Sequence, residues 1–199
     1  MRLTFDLVPD DFAAKPRAIA RFEGLTATAF RFDTGVAGLR IENDVGHIVL
    51  LPFQGQQVWD ASFHGRRLTM ESVFAEPVAA SDLLSSYGAF LVHCGATAMG
   101  NPGPEDRHPL HGELPQAPFQ TARLLAGADG EGPYMGLSGL YRHQQAFSHH
   151  YVAEPELLLH RGSGILDLRM AIRNCRKSPM ELMYLAHVNL RPVDGGRLV

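Results

Sequence analysis

Apolar and polar residues alternate along much of this chain, and this alternation limits the folds that it can adopt. In segment 165–173, four apolar residues occupy every second position and three charged residues lie between them. Because a strand puts alternate residues on opposite faces, the pattern gives one apolar and one solvated face. On a helix the same positions would spiral around the axis and form no stripe. The segment is predicted to be a β-strand.

Similar segments recur along the chain, and turns rich in Gly and Pro separate them. Strands are predicted at 25–32, 36–42, 47–53, 57–63, 134–141, 156–160, 165–173 and 181–190. Turns are predicted at 64–65, 162–164 and 174–179, and short helices only at 11–20 and 81–86. This spacing predicts an all-β protein built as an antiparallel β-sandwich, with residues 1–199 forming a single domain.

Composition excludes several classes of function. The net charge is −3 and no basic stripe is present, so a nucleic-acid partner is not expected. Neither a secretory signal nor an uncharged span of about 18 residues is found, so we expect a cytoplasmic protein without a membrane partner. Cys94 and Cys175 are far apart in sequence and indicate buried thiols rather than a disulfide framework. No dinucleotide or phosphate-binding glycine motif occurs, and no cofactor is expected.

The chain has ten His residues, and several of them border one long loop, 95–118. A loop of this length in a compact domain is often functional. His111 precedes Gly112 and is flanked by prolines, which would hold its ring rigidly for hydrogen bonding to a ligand. Two other interpretations remain open: the histidines cap turns, or His93, His108, His111 and Glu113 bind a metal ion.

A second group of polar residues lies on the last predicted strand. His187, Asn189 and Arg191 fall on one face of segment 181–190 and its continuation, next to Met183 and Leu185. A solvated sheet face would carry fewer apolar residues, whereas the wall of a cleft that binds a polyol combines both kinds. The sequence alone leaves both alternatives open.

Two motifs give the chain a resemblance to a known family. They are His-Pro-Leu-His-Gly-Glu-Leu-Pro at 108–115 and Ala-His-Val-Asn-Leu-Arg-Pro-Val-Asp at 186–194. In this order and on a β-rich chain, they resemble the aldose 1-epimerase (galactose mutarotase-like) superfamily, and more closely its poorly characterised aldose-epimerase-like branch. The resemblance implies a large antiparallel sandwich, the mutarotase-like supersandwich, which binds a monosaccharide or sugar derivative and uses no metal or cofactor.

The resemblance also implies roles for individual residues. His187 would be the general acid that protonates the sugar ring oxygen, and His111 a second histidine that holds or polarises the sugar. The residues that the resemblance suggests as further substrate ligands are Asn189, Arg191, Asp194, Arg107, His108 and His93. The expected reaction is the interconversion of sugar anomers, and a homodimer is left open as the assembly.

The family's catalytic glutamate lies well past the second motif, and no acidic residue before Val199 matches it. We therefore expect the chain to be the N-terminal portion of a longer mutarotase-like domain, or the base to be replaced. The Glu-Leu-Pro that follows Gly112 differs from the glycine-rich run of galactose mutarotases, which puts galactose in doubt as the substrate. Alternative functions are a noncatalytic carbohydrate-binding protein on the same scaffold and a metal-dependent small β-barrel enzyme.

Overall fold

The computed structural model describes residues 1–197 as two antiparallel β-sheets packed face to face. Within these residues there are thirteen strands and no α-helix. The strands are β1 (Arg2–Leu7), β2 (Arg17–Phe22), β3 (Leu25–Arg31), β4 (Ala37–Glu42), β5 (Gly46–Leu50), β6 (Val58–Phe63), β7 (Arg66–Arg67), β8 (Leu91–Ala96), β9 (Thr121–Asp129), β10 (Gly132–Gln144), β11 (His150–His160), β12 (Leu166–Asn174) and β13 (Met183–Val188). The predicted all-β sandwich is confirmed.

The two sheets differ in size. The smaller sheet has the strand order β1-β9-β10-β11-β12, and the larger has the order β13-β8-β6-β5-β4-β3-β2, with β7 paired to β6. A buried apolar core lies between them and takes side chains from both, for example Leu39, Ile48 and Leu50 from the larger sheet and Leu124 and Leu137 from the smaller. Burial of this core drives the association of the two sheets.

A second buried cluster lies on the other face of the larger sheet. It contains Leu51, Trp59, Val92 and Cys94, and side chains from the surrounding loops, among them Leu83, pack with them. None of its members comes from the smaller sheet. The larger sheet is therefore buried on both faces, by the smaller sheet on one and by loops on the other. We call this second surface the loop-covered face.

The local predictions differ in outcome. Each predicted strand corresponds to an observed one, and the turn at 64–65 joins β6 to β7. The helix predicted at 11–20 is wrong, because only Pro9–Asp11 forms a 3₁₀ turn and Arg17–Phe22 pairs with β3. The segment 81–86 contains only the 3₁₀ turn Leu84–Ser86. Strands β1, β2, β7, β8 and β9 were not among the predicted strands.

Candidate functional site

His187 is placed by the pairing of β13 with β8. In this antiparallel pair, His187 lies opposite Val92 and Leu185 lies opposite Cys94. Residues directly opposite each other project to the same face of a sheet. Since Val92 and Cys94 belong to the cluster on the loop-covered face, His187 projects to that face. The strand thus carries the imidazole away from the core between the sheets.

The loop that joins β8 to β9 brings His111 to the same face. Its carbonyl oxygen accepts a hydrogen bond of 2.8 Å from the amide of Gly95, and its own amide donates to the oxygen of Gly100 at 3.0 Å. His111 has a φ of +60°, a left-handed conformation that costs a non-glycine residue about 1–2 kcal/mol. Backbone strain of this kind is concentrated at functional sites, where the surrounding structure holds it in place.

The imidazole rings of His111 and His187 lie together, with centroids 5.7 Å apart and planes inclined by 60°. Among residues 1–197, the Nδ1 atom of each ring is buried and has no hydrogen-bond partner. A buried polar atom without a partner costs about 1–3 kcal/mol. Such an arrangement marks this histidine pair as a candidate site.

Tyr87 is a second aromatic neighbour of the His187 ring. Its ring packs edge-on against His187 at a centroid distance of 6.2 Å, and its hydroxyl donates to Oδ1 of Asn189 at 2.9 Å. The Asn189 amide group donates in turn to the Ala89 carbonyl at 2.9 Å. Asn189 is buried, so its side chain supports Tyr87 rather than facing solvent. Nothing in the sequence pattern indicated Tyr87.

Other expected ligands lie in two separate clefts. Arg191 and Asp194 line a cleft of about 440 Å³ with Arg66 and Arg67, and the Arg191 guanidinium donates to Glu71 at 2.6 Å. The three polar residues expected on one face, His187, Asn189 and Arg191, therefore do not line a single cleft. After β13, residues 189–191 pair with 68–70.

Arg107 and His108 line a second cleft, of about 510 Å³, with Thr97, His143 and His149. The Nδ1 of His108 donates to the Pro109 carbonyl at 2.8 Å, since a carbonyl can only accept. Burial lowers the pKa of His143, whose ring stacks on that of Tyr151 at 5.1 Å. Neither His111 nor His187 borders this cleft.

His93 is not part of the histidine pair. It follows Val92 in β8 and so projects to the opposite face, where it is only 2% exposed. Its Nδ1 is 2.8 Å from the Tyr184 hydroxyl, and burial lowers the pKa of the imidazole to about 4. This neutral, enclosed histidine is separated from His187 by the sheet itself.

Glu113 fixes the loop that carries His111. Its carboxylate accepts hydrogen bonds from the amides of Ala96 and Thr97, from the Thr97 hydroxyl at 2.8 Å and from the Tyr151 hydroxyl at 2.5 Å. Burial and the carboxylate together raise the pKa of Tyr151 far above its usual range. Because its oxygens are committed to these donors, Glu113 anchors the loop to β8 and β11.

The expected metal ligands are not brought together. Within residues 1–197, no group of three or more His, Cys, Asp and Glu side chains is arranged to hold a metal ion. His93 lies on the far face of the sheet, and the Glu113 carboxylate is occupied by protein donors.

Comparison with known proteins supports the fold described above. The fold is similar to that of the crystal structure of a putative aldose 1-epimerase from Klebsiella pneumoniae subsp. pneumoniae MGH 78578, with a TM-score of 0.81 and 19% sequence identity. By sequence, the chain belongs to the DUF4432 family, a domain of unknown function whose family model matches residues 33–193. No curated protein matches the sequence.

The structural match covers 96% of this chain but 56% of the Klebsiella chain, so the present chain spans little more than half the length of that protein. Among residues 1–197, no helix is long and apolar enough to cross a membrane.

Proposed function

We propose that the chain binds a monosaccharide or a sugar derivative on the loop-covered face and interconverts its anomers by acid–base chemistry at His187 and His111. The observation that carries the proposal is the 5.7 Å separation of the two imidazole rings. The two histidines come from the two motifs that resemble the aldose 1-epimerase superfamily, and the scaffold is similar to that of the Klebsiella protein. Proximity of two titratable groups on a fixed frame suits proton transfer.

The proposed reaction transfers one proton in each direction. His187, as imidazolium, donates a proton to the sugar ring oxygen, while His111, as neutral imidazole, accepts the proton of the anomeric hydroxyl. The bond between C1 and the ring oxygen breaks, and an open-chain aldehyde forms. Rotation about the C1–C2 bond presents the other face of the carbonyl, and the reverse transfers close the ring. Imidazole suits both roles, because its ring nitrogens can donate a proton as well as accept one.

His111 is assigned as the base because no carboxylate of the described residues adjoins the pair. Among residues 1–197, the histidines within 4.0 Å of a carboxylate oxygen are His47, His108 and His160. The same observation favours a second candidate function, a carbohydrate-binding protein that uses this scaffold without turnover.

Exchange spectroscopy by NMR on equilibrated anomers tests the proposal, with D-glucose, D-galactose, D-xylose and L-arabinose as probes. The wild-type chain should accelerate the interconversion of at least one sugar. His187→Asn and His111→Asn should each reduce this rate at least about 100-fold, the usual contribution of a general acid or base. Asn is chosen because it tolerates the left-handed backbone at position 111.

His64→Asn is the matched control, because His64 is exposed and also has a positive φ of 52°. Its rate should equal that of the wild type, and far-UV circular dichroism should be the same for all variants. Sugar binding without faster interconversion would assign the noncatalytic function instead. If the wild type neither binds nor interconverts any of the four sugars, the proposal is wrong.

A further inference from the structure

Asn189 fastens the end of β13 to the segments that precede β8 and follow β7. Its backbone amide donates to the Phe90 carbonyl at 2.7 Å, and its own carbonyl accepts from the Met70 amide at 3.1 Å. Its side-chain amide donates to the Ala89 carbonyl, and its Oδ1 accepts from the Tyr87 hydroxyl, both at 2.9 Å. A buried side chain with all of these groups paired is held in one orientation.

Tyr87 is fixed at its backbone as well as at its hydroxyl. Its carbonyl accepts a hydrogen bond of 2.6 Å from the Ser72 hydroxyl. The next residue, Gly88, lies against Trp59, since a Cβ atom added to Gly88 would be 2.7 Å from the indole ring. Burial raises the pKa of the Tyr87 hydroxyl above its ordinary value, so the group stays protonated at neutral pH and donates to Asn189. The aromatic ring of Tyr87 therefore has a defined place.

The His187 imidazole depends on its neighbours for its orientation. The torsion that turns a histidine ring has broad minima, so the backbone of β13 does not by itself fix where the ring nitrogens point. Two neighbouring rings are His111, at a centroid distance of 5.7 Å, and Tyr87, at 6.2 Å with the planes inclined by 79°. Among residues 1–197, Nδ1 of His111 has no hydrogen-bond partner, whereas the Tyr87 hydroxyl is bonded to Asn189. Tyr87 is thus the neighbour whose ring is anchored at its polar end.

We propose that Tyr87 is the positioning residue for His187: its ring, held by Asn189, sets the direction in which the imidazole transfers its proton. This inference rests on the proposed sugar chemistry of the histidine pair. Tyr87 itself transfers no proton, because its hydroxyl donates to Asn189. Misplacing a reacting group by about 1 Å can cost about 100-fold in rate. Since Tyr87 acts through His187 and not on the sugar, its loss should lower kcat and leave KM unchanged.

Two variants at position 87 test this role by NMR exchange spectroscopy over a range of sugar concentrations, with the same four sugars as probes. Tyr87→Phe keeps the ring and loses the hydroxyl, and it should lower kcat about tenfold, the equivalent of one hydrogen bond. Tyr87→Leu loses the ring as well and should lower kcat about 100-fold. The KM should change less than about twofold in both variants. Far-UV circular dichroism shows whether each variant is folded.

Tyr134→Phe and Tyr134→Leu are the matched controls. Tyr134 is a buried tyrosine that also packs edge-on against a histidine, His160, at a centroid distance of 5.5 Å, but it belongs to the smaller sheet. Both controls should interconvert sugars at the wild-type rate. Equal losses of kcat at positions 87 and 134, or a raised KM with an unchanged kcat in the Tyr87 variants, would overturn the proposal.

A measurement without sugar separates this inference from the proposed function. Carbon-13 relaxation gives the order parameter of the His187 ring, whose signal is the one missing from the spectrum of His187→Asn. The wild-type value should be about 0.85, as in a rigid backbone, and should fall below about 0.6 in Tyr87→Leu. Tyr87→Phe should lie between the two, and both Tyr134 variants should match the wild type.

The two measurements fail in different ways. A wild type that interconverts none of the four sugars contradicts the proposed function, and the order of the His187 ring then decides the positioning role alone. A ring that is equally ordered in the wild type and in both Tyr87 variants overturns the positioning role even if the wild type is active. If Tyr87→Leu does not fold, the order parameter and kcat of Tyr87→Phe decide.

Discussion

A Cβ atom placed on Gly112 would lie 2.5 Å from the carbonyl oxygen of Gly95. It would also lie 2.6 Å from the carbonyl oxygen of Ala98, and Gly112 has a φ of +79°. Both the backbone conformation and the close approach of two carbonyls thus require glycine here. Gly112 allows the loop to pack directly against the end of β8, and this packing positions the neighbouring His111.

Gly112→Ala should lower the free energy of unfolding by about 3 kcal/mol or more, because the left-handed conformation costs about 1–2 kcal/mol and the overlap adds to it. Urea unfolding measures the loss. Gly100→Ala is the control, since Gly100 has nearly the same φ, +78°, but no atom within 4 Å of an added Cβ. Equal losses in the two variants would contradict the close packing of Gly112.

Glu113→Gln should destabilise the loop by about 2 kcal/mol, because an amide nitrogen cannot accept the hydrogen bonds that a carboxylate oxygen accepts. Double-mutant cycles with Tyr151→Phe, followed by urea unfolding, should give a favourable coupling energy between the two side chains. Glu154→Gln, at an exposed position on β11, should change the stability little. A coupling energy of zero would mean that the Tyr151 hydroxyl contributes the same stability with or without the Glu113 carboxylate, which would contradict the hydrogen bond between them.

Burial of His93 should make folding sensitive to acid. Burial lowers the imidazole pKa to about 4 in the folded chain, whereas the unfolded value is about 6.5. Between these values the unfolded chain binds more protons, so stability is complete above about pH 6.5 and falls as the pH drops towards 4. The loss should approach about 3 kcal/mol in total.

Urea unfolding from pH 4 to 8 should show this loss in the wild type and a smaller loss in His93→Gln, while His64→Gln should follow the wild type. The difference between wild type and His93→Gln isolates the buried residue from the other histidines. Identical pH profiles for His93→Gln and the wild type would show that His93 is not enclosed.

The two thiols should differ in reactivity. Cys94 is fully buried, and burial raises its thiol pKa to about 11, whereas Cys175 is half-buried. Since the thiolate is the reactive form, an aromatic disulfide reagent at pH 8 should label one thiol per folded chain and two after unfolding. Cys175→Ser should abolish the fast labelling. Labelling of two thiols in the folded chain would contradict the burial of Cys94.

Much of the fold follows from alternation of side chains, and the exceptions have local causes. Strand β8 is buried along its whole length, with Leu91–Ala96 apolar or enclosed on both faces, so it shows no alternation. Strand β1 does alternate, with Leu3, Phe5 and Leu7 on one face, so its pattern could have been found although five of its six residues are exposed. Segment 17–22 pairs with β3 although its register shifts, which obscures the period of two.

The site was only partly predictable for a related reason. The motifs identify His111 and His187, but a motif does not say which face of a sheet a residue occupies. His93 was grouped with them because it lies near the loop in sequence, yet alternation along β8 turns it to the other face. Asn189 and Glu113 have polar side chains that suit a ligand equally well, and only their protein partners reveal a supporting role.

The pairing of His187 with Val92 also limits where insertions and deletions can occur near β13. Moving β13 by one residue along β8 would bring Ala186 into the place of His187 and turn the imidazole into the interior. Insertions and deletions between β12 and β13 are therefore tolerable only where the connecting segment absorbs them without moving the strand. Variation among natural relatives should accumulate in that connection and spare the strand itself.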